Sequence, residues 1–419
     1  MWEEIFSRDN LKRALQRVER NGGAPGVDGM TVAEMRRWLV AHWEETRRAL
    51  DEGKYRPAPV RRVTIPKPDG GERELGIPTV LDRLIQQAIA QALTPIFDPE
   101  FSEQSFGFRP RRSAHQAVKA AKGYVAEGYT WVVDVDLDRF FDRVQHDVLM
   151  ARVARKVSDP RTLRLIRRYL NAGIMVSGIM QPSSVGTPQG GPLSPLLANI
   201  MLDDLDQELE IRGHRFVRYA DDIRVYARTK RAAGRILASV TDFLEKRLRL
   251  KVNREKSSAK HAQKAAVLGF AFYFTRFGPR LRIDGKALRR LRFEIRRLTS
   301  RSRGVSMEWR IRLLNRFISG WCAYFAIAET EKTFRTLDEW LRRRLRQVRW
   351  KEWKRVRTRI RNLRAFGIPI SKAIAWGNTR KGSWRIAGSP ALSRTLSNAY
   401  WESLGLQGFA ASYLRLRRT

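Results

Sequence analysis

The chain has 419 residues, 43% of them hydrophobic, which suits two or three linked domains with buried cores and argues against wholesale disorder. Lys and Arg number 82 against 43 Asp and Glu, and a net charge of +39 would repel itself unless a polyanion lay against it, with nucleic acid the economical partner. The single cysteine, Cys322, excludes a disulfide framework and any multi-cysteine zinc site. No apolar run approaches the ~18 residues of a membrane span, so no membrane partner is expected. The opening MWEEIFSRDN lacks the basic-then-apolar order of a signal peptide, and a cytoplasmic protein is expected.

Along the chain, residues 1–50 read as helix, glycine-rich loop, helix, because Asn21-Gly22-Gly23-Ala24-Pro25-Gly26 is irregular by composition. A hairpin follows, with Val63-Thr64-Ile65 leading into the turn formers Pro68-Asp69-Gly70-Gly71 and Leu75-Gly76-Ile77 leading out. Lys67 and Arg73 flank its tip. Ser113 and Gln116 form a capping box that opens a helix bearing Ala117, Val118 and Ala121 on one face. Trp131 to Leu137 alternates strictly and reads as a strand. A second hairpin spans Phe216 to Tyr226 with Asp221-Asp222 at its bend. From Ala287 to the end there are 32 Lys and Arg against 8 Asp and Glu, which is +24 of the total. That third reads as long basic helices, with Leu337, Leu341, Leu345 and Val348 forming an apolar stripe and arginines on the other faces. Cys322 lies in an aromatic run and is expected to be inert core. From about Arg361 the composition turns to Gly, Ser, Trp and Arg, which suggests a small separate module.

Two acidic elements carry the chemistry. Asp134, Asp136 and Asp138 fall on one face of the predicted strand, while Val133, Val135 and Leu137 fall on the other. The flanking Trp131, Phe140 and Phe141 suggest a central strand. A central strand that presents acids to the Tyr219-Ala220-Asp221-Asp222 bend makes a hard-oxygen cage suited to Mg²⁺. Two such ions about 3.5–4 Å apart clamp the attacking and leaving oxygens of a phosphoryl transfer. Between these elements, Val185 to Pro195 is a Gly- and Pro-dense loop that lets backbone approach a ligand closely.

The ordered series IPKPDGGERELGIPT, SFGFRPRRSAHQA, VVDVDLDRFFD, GTPQGGPLSPLLANI, RYADD, LKVNREKS and LGFAFY resembles the reverse transcriptases encoded by group II introns, from about residue 20 to the carboxyl terminus. The resemblance implies an α+β right-hand polymerase: fingers, an antiparallel palm sheet with helices, a helical thumb and a small DNA-binding tail. The corresponding segments are an amino-terminal extension over 1–50, fingers and palm over 51–286, thumb or maturase domain over 287–360, and the tail over 361–419. Carried over residue by residue, it implies that Asp136, Asp221 and Asp222 hold two Mg²⁺ ions, with Leu137 lending a backbone carbonyl. Phe141 falls at the steric gate that excludes a ribose 2′-hydroxyl. Lys67 and Arg73 match the cations that hold the triphosphate, Gln189 the glutamine against the incoming nucleotide, and Lys256 a lysine that protonates pyrophosphate. Asp134 and Asp138 match no catalytic role and read as supporting polar residues.

The implied partners are the intron RNA, a DNA primer or target strand and deoxynucleoside triphosphates. Arg342, Arg343 and Arg346 are the candidate RNA-binding arginines of the basic helices. No Cys-rich endonuclease module follows, so cleavage of target DNA is not expected and the group IIC branch is implied. An RNA-dependent RNA polymerase is opposed by Phe141, and a splicing factor with a relic site by the intact acidic trio. A reverse transcriptase domesticated for phage defence is distinguishable only by gene context.

Overall fold

In the computed structural model the described residues are 1–66, 72–172, 174–176, 179–181 and 190–418. They form two compact units, Met1–Ala265 and Ala266–Thr419. Helices alternate with mainly antiparallel sheets, the α+β class. Among the described residues no helix is long and apolar enough to cross a membrane.

The first unit is organised on the helix Val80–Phe97. Thr79 caps it by accepting the Asp82 N–H, and Val80, Leu84, Ile85, Ala88, Ile89 and Leu93 are buried along it. The amino-terminal helices Arg8–Asn21 and Met35–Asp51 precede it, and the Asn10 amide fastens the first of them by donating to the carbonyls of Ile5 (2.8 Å) and Ala88 (3.0 Å). The expected first hairpin is β1 (Val60–Pro66) against β2 (Glu72–Ile77), in a register that sets Ile65 opposite Arg73. Its sheet, in the order β2-β1-β4-β5, is extended by the short strands β4 (Ile174–Val176) and β5 (Ile179–Gln181), which no sequence pattern marks; β1 meets β4 in parallel.

A second sheet positions the acids. Its order is β6-β7-β3-β8, from β3 (Trp131–Val135), β6 (Arg215–Tyr219), β7 (Asp222–Ala227) and β8 (Ser258–His261), all antiparallel. The central β3 is covered because Val132, Val133 and Val135 are buried. Against this sheet lie the helices Ala114–Ala126, Ser194–Ile211 and Lys230–Lys246. The first of these starts with the capping box that its sequence implies. The strand ends two residues earlier than the alternation suggests, since its partner changes. Past Val135 the chain pairs instead with residues 251–253: Asn253 N–H donates to Asp136 O (2.8 Å), Asp138 N–H to Lys251 O (2.8 Å), and Leu137 bridges Val252.

The second unit opens with the three-stranded sheet β11-β10-β9, from β9 (Ala266–Val267), β10 (Phe270–Thr275) and β11 (Gly278–Ile283). It therefore begins ahead of the change in charge at Ala287. The basic helices Gly285–Leu298, Met307–Phe325 and Glu331–Glu352 follow, with Leu337, Leu341, Leu345 and Val348 buried as the helical spacing predicts. The segment after Arg361 belongs to the same unit. Its last helix, Phe409–Arg418, packs on the two preceding long helices: Tyr413 stacks on Phe334 with ring centroids 4.1 Å apart, and Asp338 caps it by accepting the N–H groups of Phe409 (2.6 Å) and Ala410 (2.9 Å). Cys322 is fully buried there, and burial pushes its thiol up to about 12, the inert core thiol expected.

Candidate functional site

The bend between β6 and β7 is built from below. Tyr219 pairs with Asp222, leaving Ala220 and Asp221 to turn the chain, and Ala220 does so with φ +58°. A left-handed alanine is unfavourable by roughly 1–2 kcal/mol. Arg218, fully buried, offsets this by donating from Nη1 to the Ala220 carbonyl at 3.1 Å. The same guanidinium grips Asp206, also fully buried, through Nε (2.8 and 2.9 Å) and Nη2 (2.5 Å), and reaches Asn199 Oδ1 at 2.8 Å. Asn199 in turn donates to the Gly107 carbonyl (2.9 Å). A Cβ on Gly107 would lie 2.2 Å from the Ala220 nitrogen, so only glycine lets the loop press on the bend. Backbone bonds from Phe106 N–H to Arg218 O and from Arg218 N–H to Gln104 O (both 2.9 Å) close the clamp.

On this support the predicted acids stand at adjoining strand ends. Val135 lies opposite Ile223 in the β3–β7 ladder, so Asp136 and Asp222 leave adjacent strands side by side, with Asp221 exposed at the bend. Asp222 is held by Arg224 (2.5 Å), which also reaches Asp134 at 3.5 Å. Burial, reinforced by the nearby charges of Asp222 and Asp136, raises the Asp134 carboxyl above the ordinary range, although Arg224 and Lys260 oppose the shift. Despite its own burial, Arg224 is held above the usual guanidinium range by Asp222 and Asp134. Asp138 pairs with Arg143 (3.1 Å). Asp134 and Asp138 are thus engaged with cations of the same fold.

Asp136 N–H donates to Ser257 Oγ (3.0 Å), and its carbonyl accepts from Asn253 N–H. The Asn253-to-Ser257 turn is therefore tied to the acidic strand and carries Lys256, exposed, beside it. Leu137 is buried. Arg139, with φ +50°, turns the chain sharply into the short helix Phe140–Arg143, where Phe141 is half-buried against Phe140 with ring centroids 5.0 Å apart. Lys67 and Gln189 lie outside the described residues, as does the Arg73 side chain; the Arg73 backbone stands in β2 opposite Ile65. Just beyond Gln189, a Cβ on Gly190 would meet the Gly76 carbonyl at 2.6 Å and one on Gly191 the Gln86 side chain at 2.3 Å. This end of the glycine-rich loop is thus packed closely on β2 and the helix Val80–Phe97.

Among the described residues no three acidic, His or Cys side chains close around a point as a finished metal cage. The donor chemistry nevertheless suits a hard divalent cation, because carboxylates stand on adjacent strands, although an ion at Asp222 would compete with Arg224.

In the second unit, two of the arginines singled out from the sequence are turned inward. Arg343 lies over the Trp384 ring at 4.1 Å and donates to the Trp384 carbonyl (3.2 Å); Arg346 donates to the Ala387 carbonyl (3.0 Å). Both pin the helix Ser383–Ala387. Arg342 is half-buried. The helical stripe correctly locates the core, but a strict solvent face opposite it does not exist where a later helix packs. On the helix Gly285–Leu298, by contrast, Arg289, Arg292 and Arg296 are exposed at helical spacing.

Residues 65–272 match the family described as reverse transcriptase (RNA-dependent DNA polymerase), and residues 288–367 match the group II intron maturase-specific domain. The chain is similar to protein YkfC of Escherichia coli (strain K12), 35% identical over 275 residues, covering 57% of this chain and 72% of that protein. It is also similar to the group II intron-encoded protein LtrA of Lactococcus lactis subsp. cremoris, 42% identical over 160 residues, covering 38% of this chain and 26% of LtrA. A 91 kDa protein of the cob intron in Schizosaccharomyces pombe is 35% identical over 213 residues, covering 49% of this chain and 25% of that one. The chain spans about a quarter of the length of the last two.

The buried clamp makes a stability prediction. Arg218→Ala leaves Asp206 charged and unpaired out of water and should cost roughly 3–5 kcal/mol. Urea unfolding followed by tryptophan fluorescence reads this directly, and an unchanged midpoint rules the clamp out as the support of the bend.

Proposed function

Since the chain belongs to the reverse transcriptases that carry a group II intron maturase domain, we propose that it extends a DNA primer on an RNA template and also grips its intron RNA, assisting splicing and mobility. The observation that carries the reading is the register that sets Asp136, just past the end of β3, beside the Asp221-Asp222 bend on one clamped sheet. In this reading Asp136, Asp221 and Asp222 hold two Mg²⁺ ions with the Leu137 carbonyl. Bound there, the ions would supply charge neutralisation at the reacting phosphate and lower the pKa of the primer 3′-hydroxyl. Lys67 and Arg73, which flank the turn between β1 and β2 in the sequence, pair with the triphosphate, whose charge calls for several donors at once. Gln189 lies against the incoming nucleotide, a role supported by the close packing of its neighbour Gly190 on β2. Lys256 delivers a proton to departing pyrophosphate, supported by the tether of its turn to Asp136. Phe141 fills the space that a 2′-hydroxyl would need. After the amino-terminal extension of residues 1–50, the first sheet belongs to the fingers and the second sheet to the palm within residues 51–286, the basic helices over 287–360 are the thumb, and residues 361–419 are a DNA-binding tail.

If the acidic trio is the metal site, Asp221→Asn should reduce primer extension to below roughly a tenth of wild type. RNA affinity and unfolding midpoint should be preserved, because Asp221 is exposed at the bend. Extension above that level by the purified variant would sink the assignment.

Single-nucleotide addition tests the gate. Phe141→Ala should admit ATP where the wild type accepts dATP, and an unchanged ratio of the two removes Phe141 from that role.

The maturase role predicts a steep salt dependence. Intron RNA affinity should fall roughly 10³-fold or more between 50 and 200 mM salt. Neutralising the exposed Arg289, Arg292 and Arg296 to Gln should lower the logarithmic salt slope by about one for each phosphate left without its cation. The same slope in variant and wild type would show that this helix face does not hold RNA.

A further inference from the structure

Phe108 is a large aromatic residue that the fold holds in an unfavourable place. Its φ is +58°, a backbone region that bulky residues rarely enter, and its side chain is 57% exposed. Packing within the fold accounts for neither fact, since burial would favour the ring and glycine would suit the backbone. A singly exposed aromatic is ordinary on a protein surface. One that is both strained and fixed at both neighbours is not. On one side, Gly107 is pressed against the Ala220 nitrogen and its carbonyl is held by Asn199. On the other, the Arg109 guanidinium is locked by Asp98 Oδ1 (2.7 Å) and by the carbonyls of Asp98 (2.8 Å), Ser102 (2.5 Å) and Ser105 (3.0 Å). Phe108 therefore has little backbone freedom to relax. Among the described residues its ring neighbour is Tyr219, with centroids 6.4 Å apart and planes at 43°. Tyr219 leads straight into the Asp221-Asp222 bend. Arg111, three residues on, is also left-handed (φ +59°) and exposed.

An exposed ring with an aromatic neighbour, close to an exposed cation, is the chemistry that takes hold of a nucleic-acid strand, the rings by stacking and the cation by its phosphate. The reading of the bend as the polymerase centre, on which this inference rests, identifies the strand. The primer's 3′-hydroxyl must reach Asp221 and Asp222, so the terminal primer nucleotide is the group that has to lie beside Tyr219. We propose that Phe108 and Tyr219 form an aromatic platform that receives the terminal primer nucleotide and so sets its 3′-hydroxyl over the acidic bend. Phe108 is then a primer-positioning residue, and its strained backbone is how the loop aims the ring outward.

The test uses the full chain with a DNA primer carrying 2-aminopurine at its 3′ end, annealed to an RNA template. Binding is followed in EDTA by fluorescence, and extension is followed separately with Mg²⁺. Wild type should quench the terminal base on binding. Phe108→Ala should lose most of that quench and lower kcat/KM for primer–template roughly tenfold or more, with KM for the nucleotide unchanged. Phe108→Trp should restore both. The unfolding temperature should not fall in Phe108→Ala, nor in Phe108→Gly, because glycine accepts φ +58° freely. Normal quench and kinetics in Phe108→Ala overturn the proposal, as does a loss that tracks a lowered unfolding temperature in both variants. Absence of extension by the wild type would instead strike the polymerase reading, while the EDTA quench still reports on the platform.

Discussion

A guanidinium out of water needs its charge matched and its N–H groups taken, and Arg218 has both. Asp206 supplies the charge, and Asn199 and the Ala220 carbonyl accept from a further nitrogen. The gain is geometric more than energetic, since a buried ion pair roughly balances its desolvation. What it fixes is the left-handed Ala220, and with it the direction in which Asp221 and Asp222 leave the sheet. Asn199 extends the same network to the Gly107 loop, so that Phe108, the bend and the helix Ser194–Ile211 are positioned by one set of bonds. The acidic bend and the aromatic loop beside it both depend on this buried group.

The +39 charge divides into two populations with different work. Some arginines have become internal fasteners. Arg109, Arg218 and Arg310 are buried and satisfied mainly by carbonyls or by one carboxylate, and Arg343 and Arg346 pin a short helix from outside the core. An arginine suits this because its planar fork meets several acceptors in fixed directions, while its stem packs as hydrocarbon. Others, among them Arg289, Arg292 and Arg296, face solvent. Net charge alone does not separate these groups; burial does.

That division explains how much of the molecule is legible in its sequence. The hairpins, the capping box and the Leu337-to-Val348 stripe are legible because each is a local pattern with a short period, and local patterns survive in a one-dimensional string. Asp136, Asp221 and Asp222 are legible as candidates because acids in an apolar strand and at a tight bend are unfavourable without a purpose. Arg218 is not. It stands in RYADD as one more basic residue, and the groups that give it meaning, Asp206 and Asn199 on the helix Ser194–Ile211, have no fixed spacing from it. A signal is nevertheless present: a charged residue directly after Phe216 and Val217, in a strand whose neighbours there are buried. Arg343 and Arg346 mislead in the opposite sense. Their helix face looks open until a segment 41 residues further on folds onto it.

The acidic site also shows how neighbouring strands can carry several carboxylates on one face. Asp134 and Asp222 approach from adjacent strands, and two carboxylates there would push β3 and β7 apart. Arg224, opposite Asp134 in the ladder, lies between them and pairs with both. Its single positive charge is shared by the two carboxylates and eases their repulsion, which lets the strands pair. The same bond orients Asp222 and keeps it from roaming. Asp221 stands one residue earlier in the same turn and is exposed where Asp222 is half-buried. If the bend takes up the divalent ion proposed for it, its two carboxylates would meet that ion on different terms. A divalent ion would have to compete with a guanidinium, in a partly desolvated place, for the first. For the second it approaches through water, where screening weakens any rival cation.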